Sequence, residues 1–278
     1  MNTTQRLIKG LAILLAVFIM VSIAGAVLSA VGTLGLIYDE FERDDLVMGE
    51  TIEVVGEEGE GLSIKQLDVS VKATRVWVKS VDSGVKYQTN NEYIDVWEEN
   101  GTIHVVERSH GVFGFGGTGE LTIYVSNKVE LEEAKFEVGA GTLTVQDLVA
   151  KRIDLKLGAG KTEIDYLSAS ERLRIDSGAG VVEVMRGRAN NAEIEIGAGK
   201  AELRLELIGD SKVVSGVGKL ELELIGAETD YRLAIDKGIG SVSYNGRNLA
   251  DDTREGNGEN VVEIKSGVGA VEIRTVAR

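Results

Sequence analysis

The chain has 278 residues, 30 Lys plus Arg against 45 Asp plus Glu, and a formal net charge of −15, a balance that argues against a nucleic-acid binder. Cys and Pro are absent and Gly numbers 35, which excludes disulfides, thiolate metal sites, cysteine nucleophiles and collagen-like segments. Aromatic residues make up 5 %, too few for stacking platforms along a nucleic-acid or sugar chain.

Residues 1–10 carry Arg6 and Lys9 and no acid. Residues 11–37 follow without a single charge (LAILLAVFIMVSIAGAVLSAVGTLGLI), longer than the roughly 20 residues a spanning helix needs. With bases before it and Asp39, Glu40, Glu42, Asp44 and Asp45 after it, the segment reads as a signal anchor with the amino terminus cytoplasmic. A cleaved signal peptide is the alternative, with small-residue sites at Ala24-Gly25-Ala26 and Leu28-Ser29-Ala30. Cleavage there would leave an apolar stub in water, which favours the anchor. Residues 38–49 form an acidic juxtamembrane linker. The expected localisation is the cell membrane, single-pass, with residues 50–278 extracytoplasmic.

Residues 50–130 read as irregular β structure. Alternation is clear at Leu67–Val71, Val76–Val78, Tyr93–Trp97 and Thr102–Val106, and Asn100-Gly101 between the last two is a strong hairpin signal. These strands are expected to cap a stack whose end would otherwise be an open edge. Asn100-Gly101-Thr102 also matches an N-glycan acceptor triplet, a short pattern that chance often supplies.

Residues 131–278 are a repeat. Gly-x-Gly recurs with first glycines at Gly139, Gly158, Gly178, Gly197, Gly216, Gly238 and Gly267, and second glycines at Gly141, Gly160, Gly180, Gly199, Gly218, Gly240 and Gly269. The period is close to 20 residues. Three residues before the first glycine, and four and six after it, the columns are almost wholly apolar, with polar residues between them. That is strand periodicity on both sides of a tight corner. The expected fold class is all-β: a right-handed parallel β-solenoid of about 20 residues per rung, preceded by one transmembrane helix. Seven rungs at about 4.8 Å make a stack on the order of 35 Å tall. The absent proline suits strands that must all donate to the next rung.

The stretch LTIYVSNKVELEEAKFEVGAGTLTVQDL, residues 121–148, together with the Gly-x-Gly rungs, resembles the putative-adhesin, or toast-rack, family of bacterial and archaeal β-solenoids. The resemblance covers roughly residues 50–278 and departs from the family at Ser126, where a proline is common. It implies an envelope-associated, non-enzymatic domain, sometimes linked to envelope stress, and brings no catalytic residues with it.

The sequence offers little chemistry of its own. Gly114-Phe-Gly116-Gly-Thr-Gly119 has dinucleotide-loop spacing but precedes a strand, not a helix. Gly160-Lys161-Thr162 lacks the first glycine of a phosphate loop, and the loop at residues 251–260 has Val262 at the twelfth EF-hand position, with Glu263 one place too late. The two histidines, His104 and His110, make a poor metal or base set without cysteine. No cofactor is expected. One charged feature stands out: Glu163, Glu183, Glu202 and Glu221 recur on consecutive rungs, with Lys161, Lys200 and Lys219 two residues before their neighbours. It is a mixed-charge solvated face or an acidic strip for divalent cations or a basic partner. The function expected is a non-enzymatic envelope protein contacting envelope proteins, surface polymers or other copies of itself, with no nucleic-acid partner. The alternative is a β-helix polysaccharide lyase or hydrolase.

Overall fold

The computed structural model describes residues 52–54, 64–82, 84–108, 119–126 and 130–277. The expected membrane segment 11–37, the linker 38–49, the glycine loop around Gly114 and His110 lie outside them. Among the described residues no helix is long and apolar enough to cross a membrane.

The described chain is all-β, a β-solenoid-like repeat of fourteen strands with one short 3-10 turn, Glu228–Asp230. The strands are β1 (Ile52–Val54), β2 (Gln66–Val71), β3 (Arg75–Val81), β4 (Val85–Thr89), β5 (Ile94–Glu99), β6 (Thr102–Glu107), β7 (Glu120–Ser126), β8 (Leu131–Asn190), β9 (Ala192–Ile208), β10 (Asp210–Ile225), β11 (Tyr231–Tyr244), β12 (Arg247–Asn248), β13 (Thr253–Gly256) and β14 (Asn260–Val276). The 60-residue β8 holds three Gly-x-Gly coils in one unbroken ladder. Each coil is a first leg, a glycine corner and a second leg, and the coils pair in parallel at the repeat spacing: Ile175 with Ile194, Ile194 with Val213, Leu203 with Leu222.

The apolar columns form the core. Phe136, Leu155, Ile175, Ile194, Val213, Ile235 and Ile264 are all 0 % exposed. On the second leg Leu143, Thr162, Val182, Ala201, Leu220, Val242 and Val271 are buried, as are Val145, Ile164, Val184, Leu203, Leu222, Tyr244 and Ile273. Each coil thus contributes the same inward set, and stacking joins the sets into one core cluster.

The corners explain the glycines. A Cβ added to Gly199, whose φ is +136°, would overlap the carbonyl oxygen of Gly180 in the coil beneath, and Gly218 meets Gly199 in the same way. Backbone stacks directly on backbone there.

Stacking does not follow chain order at the ends. The last coil, β14, lies between β10 and β11, pairing Val213 with Ile264 on one side and Ile264 with Ile235 on the other. At the other end β2 and β3 lie between the first legs and second legs of β8 and the later strands β6 and β7. Antiparallel strands then cover both ends: β5 on β6 and β4 with β1 on β7 at one, β12 and β13 on β11 at the other. The segment around residues 251–260 is therefore more than a solvated insertion, because its β13 pairs with the terminal coil.

The Asn100-Gly101 hairpin forms as its dipeptide requires, with φ of 52° and 79° and Glu99 paired to Thr102. Ser126 donates its backbone N–H to Gly84 at 3.0 Å, a bond that the proline common in the family at this position would lack.

Candidate functional site

The glutamate column is in register. Glu183 pairs with Glu202, Glu202 with Glu221, and Glu221 with Glu272, which joins the column because β14 inserts beside β10. Parallel pairing brings like charges about 4.8 Å apart, an arrangement that needs counter-charge. Lysines two residues earlier on the same strands supply it: Lys161 bridges Glu163 and reaches Glu183 at 3.6 Å, Lys200 bridges Glu202, and Lys219 bridges Glu221. Arg274 lies 3.8 Å from Glu272 and 3.0 Å from Glu223. The hydrogen bond from Lys219 holds the Glu221 carboxyl below the usual glutamate value, and the bonds to Glu163 and Glu202 hold the Lys161 and Lys200 ammonium groups above theirs. Among the described residues no group of three or more His, Asp or Glu side chains is placed to hold a metal ion. The four strip glutamates stand together, as a neutralised ladder.

A second ladder runs along the outside of the first legs. Asp68, Lys135, Asp154, Arg174, Glu193, Lys212 and Glu263 occupy one repeat position on successive coils, so the sign alternates along it, and His104 stands opposite Asp68 at its end. Asp68 is 3.7 Å from both His104 Nδ1 and Lys135, and Arg174 is 3.4 Å from Glu193. Beside this ladder lies a groove of about 580 Å³ crossing five coils. Its floor is the first-glycine column, Gly139, Gly158, Gly178, Gly197 and Gly216, and Glu137, Lys156, Asp176 and Glu195 line it. All seven Gly-x-Gly pairs lie within β8, β9, β10, β11 and β14, and the first-glycine column leaves the groove because those residues have no side chain. Asp176 is held by Arg174 at 2.9 Å, and Glu195 is 4.0 Å from Lys212.

A buried polar cluster at the β2–β3 corner had no signal in the residue pattern. Glu107, 2 % exposed, accepts the N–H groups of Lys72 at 2.7 Å and Ala73 at 3.1 Å, and Asn91 donates to Thr74 Oγ1 at 2.8 Å. The contact spans 35 residues and follows no local motif. Trp97 stacks on His104 with centroids 5.0 Å apart, which the cross-strand register of the hairpin made readable. Thr162 is buried in a coil, and Asp251 accepts the N–H groups of Lys237 and Asp252 within a turn.

No curated protein matches the chain. Among solved structures it is similar to a putative cell adhesion protein from Clostridium sporogenes, at 16 % identity over 82 % of this chain and 98 % of that one, with a TM-score of 0.37. It is similar also to a putative adhesin from Parabacteroides distasonis, at 14 % identity over 81 % and 95 % of the two chains with a TM-score of 0.44. A third similar structure, a putative lipid binding protein from the same species, shares 16 % identity over 82 % and 96 %, with a TM-score of 0.34. The sequence model of the Toastrack DUF4097 family matches residues 50–274, spanning the capped ends, the corners and both charge ladders, and the chain belongs to that family.

Proposed function

We propose that this is a non-enzymatic cell-envelope protein, held by a single helix over residues 11–37 with its amino terminus cytoplasmic, that presents a right-handed solenoid outside the membrane for adhesion to extended polymers or proteins. The observation that carries the reading is periodicity of surface: the glycine-floored groove repeats one unit per coil across five coils. A partner extended along the stack would meet the same contact at every step, so many weak contacts add without a deep pocket. The charge-free 11–37 segment and its flanking charges support the anchor and its orientation. Envelope-stress signalling is compatible with such a contact.

The test is recovery of bound components from envelope fractions of the source cells by the full-length protein, solubilised in detergent. Enrichment of an envelope protein or polymer, reduced by charge reversal at Glu137 and Glu195, is the expected result. Recovery of nothing beyond bare resin overturns the reading.

One observation favours an enzyme instead. Asp176 and Glu195 are register partners one coil apart on the groove, and a strand spacing of about 4.8 Å lets their carboxyls approach the roughly 5 Å separation of retaining glycosidases. Polysaccharide turnover abolished by Glu195→Gln would establish that alternative.

A further inference from the structure

We infer that Asn100 is an N-glycosylation site, its side-chain nitrogen being the acceptor for an oligosaccharide delivered on a lipid diphosphate. The inference rests on the extracytoplasmic reading of residues 50–278.

Among the described residues four other than glycine adopt a positive φ: Asn100, Asn191, Asn245 and Asp252. Three of them use the side chain to hold the fold. Asn191 donates to Glu171 O at 3.2 Å, Asn245 donates to Thr275 Oγ1 and accepts from the Thr275 N–H, both at 3.0 Å, and Asp252 bridges Arg254 at 2.9 Å. Asn100 differs. It is exposed, and its amide makes no hydrogen bond among the described residues. The turn it occupies is closed by other groups, since Glu98 accepts the Gly101 N–H at 2.7 Å. The Asn100 amide is thus free to carry a substituent without loss to the hairpin.

The neighbours fit the chemistry. Thr102 supplies the hydroxyl of the acceptor triplet two residues on, and among the described residues that hydroxyl makes one long hydrogen bond, donating to Gln66 Oε1 at 3.3 Å. Among the described residues β5 pairs with β6 alone, so the hairpin is an outer element at its end of the stack. The tip docks on the next coil through Gly101, whose carbonyl accepts from the Lys65 and Gln66 N–H groups, while Asn100 beside it is exposed and offers a glycan its starting point. Trp97, on the same hairpin, is 44 % exposed while one face packs on His104, leaving apolar ring surface for a proximal sugar.

Between residues 38 and 278 no other Asn-x-Ser/Thr triplet occurs. Asn2-Thr3-Thr4 lies before the apolar segment, on the opposite side of the membrane in the proposed topology, and is an internal control. In the transfer, the Asn100 nitrogen bonds to the anomeric carbon of the donor sugar. The carbon–oxygen bond to the lipid diphosphate breaks, the amide gives up one proton, and the lipid diphosphate leaves. The tight folded turn implies transfer to the newly exported chain before the hairpin closes.

The experiment is mass spectrometry of the full chain purified from the cells that make it, with protease accessibility of residues 50–278 measured in the same intact cells. The expected result is an Asn100 peptide heavier by an oligosaccharide, with the Asn2 peptide unmodified. The added mass should vanish in Asn100→Asp, which tolerates φ 52°, and in Thr102→Ala, and persist in Thr102→Ser. An Asn100 peptide found only at its bare mass in an accessible domain overturns the inference and leaves the anchored topology standing. A bare peptide in an inaccessible domain overturns both. A mass addition that survives Asn100→Asp also overturns the inference.

Discussion

The corner between two legs is made in two ways in this molecule. In the central coils it is glycine against glycine, with Gly199 seated over Gly180 so closely that no side chain fits between them. In the coil formed by β2 and β3 it is Lys72-Ala73-Thr74, where the amides find their acceptor in the side chain of Glu107 and Thr74 is held by Asn91. The first solution is local and repeatable, so any number of coils can use it. The second is unique, because it recruits a carboxylate and an amide from strands that cap the stack. A repeat can be read as a period, whereas its ends are built from particular side chains.

Breaking each corner in turn measures the contrast. Gly199→Ala combines strain at φ +136° with overlap against a backbone that cannot yield, and should cost about 3–6 kcal/mol in denaturant unfolding. Gly246→Ala is the control: its φ is +78°, nothing lies within 4 Å of the added Cβ, and about 1–2 kcal/mol of strain is all it should show. Equal losses at the two glycines would refute the close-stacking account. Glu107→Ala should follow at about 2–3 kcal/mol, since two part-buried amides lose their acceptor. Its hydrogen-exchange protection should fall in β2, β3 and β6 and stay unchanged in β9 and β10, and uniform loss would mean that the end and the middle are not separable.

The smallest effect is on the charge ladders. Glu221 and Glu263 are carboxyls held below their ordinary value, by Lys219 and Lys265 respectively, so their contribution is present above the unfolded value of 4.5 and is lost as pH falls below it. Lys161, Lys200 and Lys265 are held above 10.5, so theirs is present below that pH and lost as pH rises past it. The melting temperature should be flat between these limits and dip slightly outside them, with Glu221→Gln shallowing the acid side. Glu183→Ala with Glu202→Ala should leave the fold intact. Stabilisation of the wild type by calcium, absent from that double variant, would reveal a cation strip that the lysine bridges argue against.

The apolar columns were fully legible because strand alternation and a 20-residue period both point to the same residues, and every one of those columns is buried. The stacking order at the ends was not. Ile235 and Ile264 are interchangeable in pattern, and nothing in the repeat says which of them faces Val213. That choice depends on the chain from Gly226 to Glu259, which sends β11 outward and supplies β12 and β13 to cover it. The glutamate column was legible as four consecutive members; Glu272 holds the same repeat position beyond Ser243, and its adjacency to Glu221 comes only from the inverted order. The groove was invisible because it is made of what the glycines lack.

The inverted order at both ends also bears on how such a chain can lengthen over evolutionary time. A coil duplicated and appended at the carboxyl end would follow β14, which is already enclosed between β10 and β11, and it would find no free ladder. One placed directly ahead of β2 would meet the same obstacle, with β6 and β8 on either side. Within β8 and β9, by contrast, each coil hands the next an identical glycine corner, and an extra unit slots in without disturbing either cap. Growth of this architecture is therefore confined to its interior, as in a telescope whose fittings are fixed at both rims.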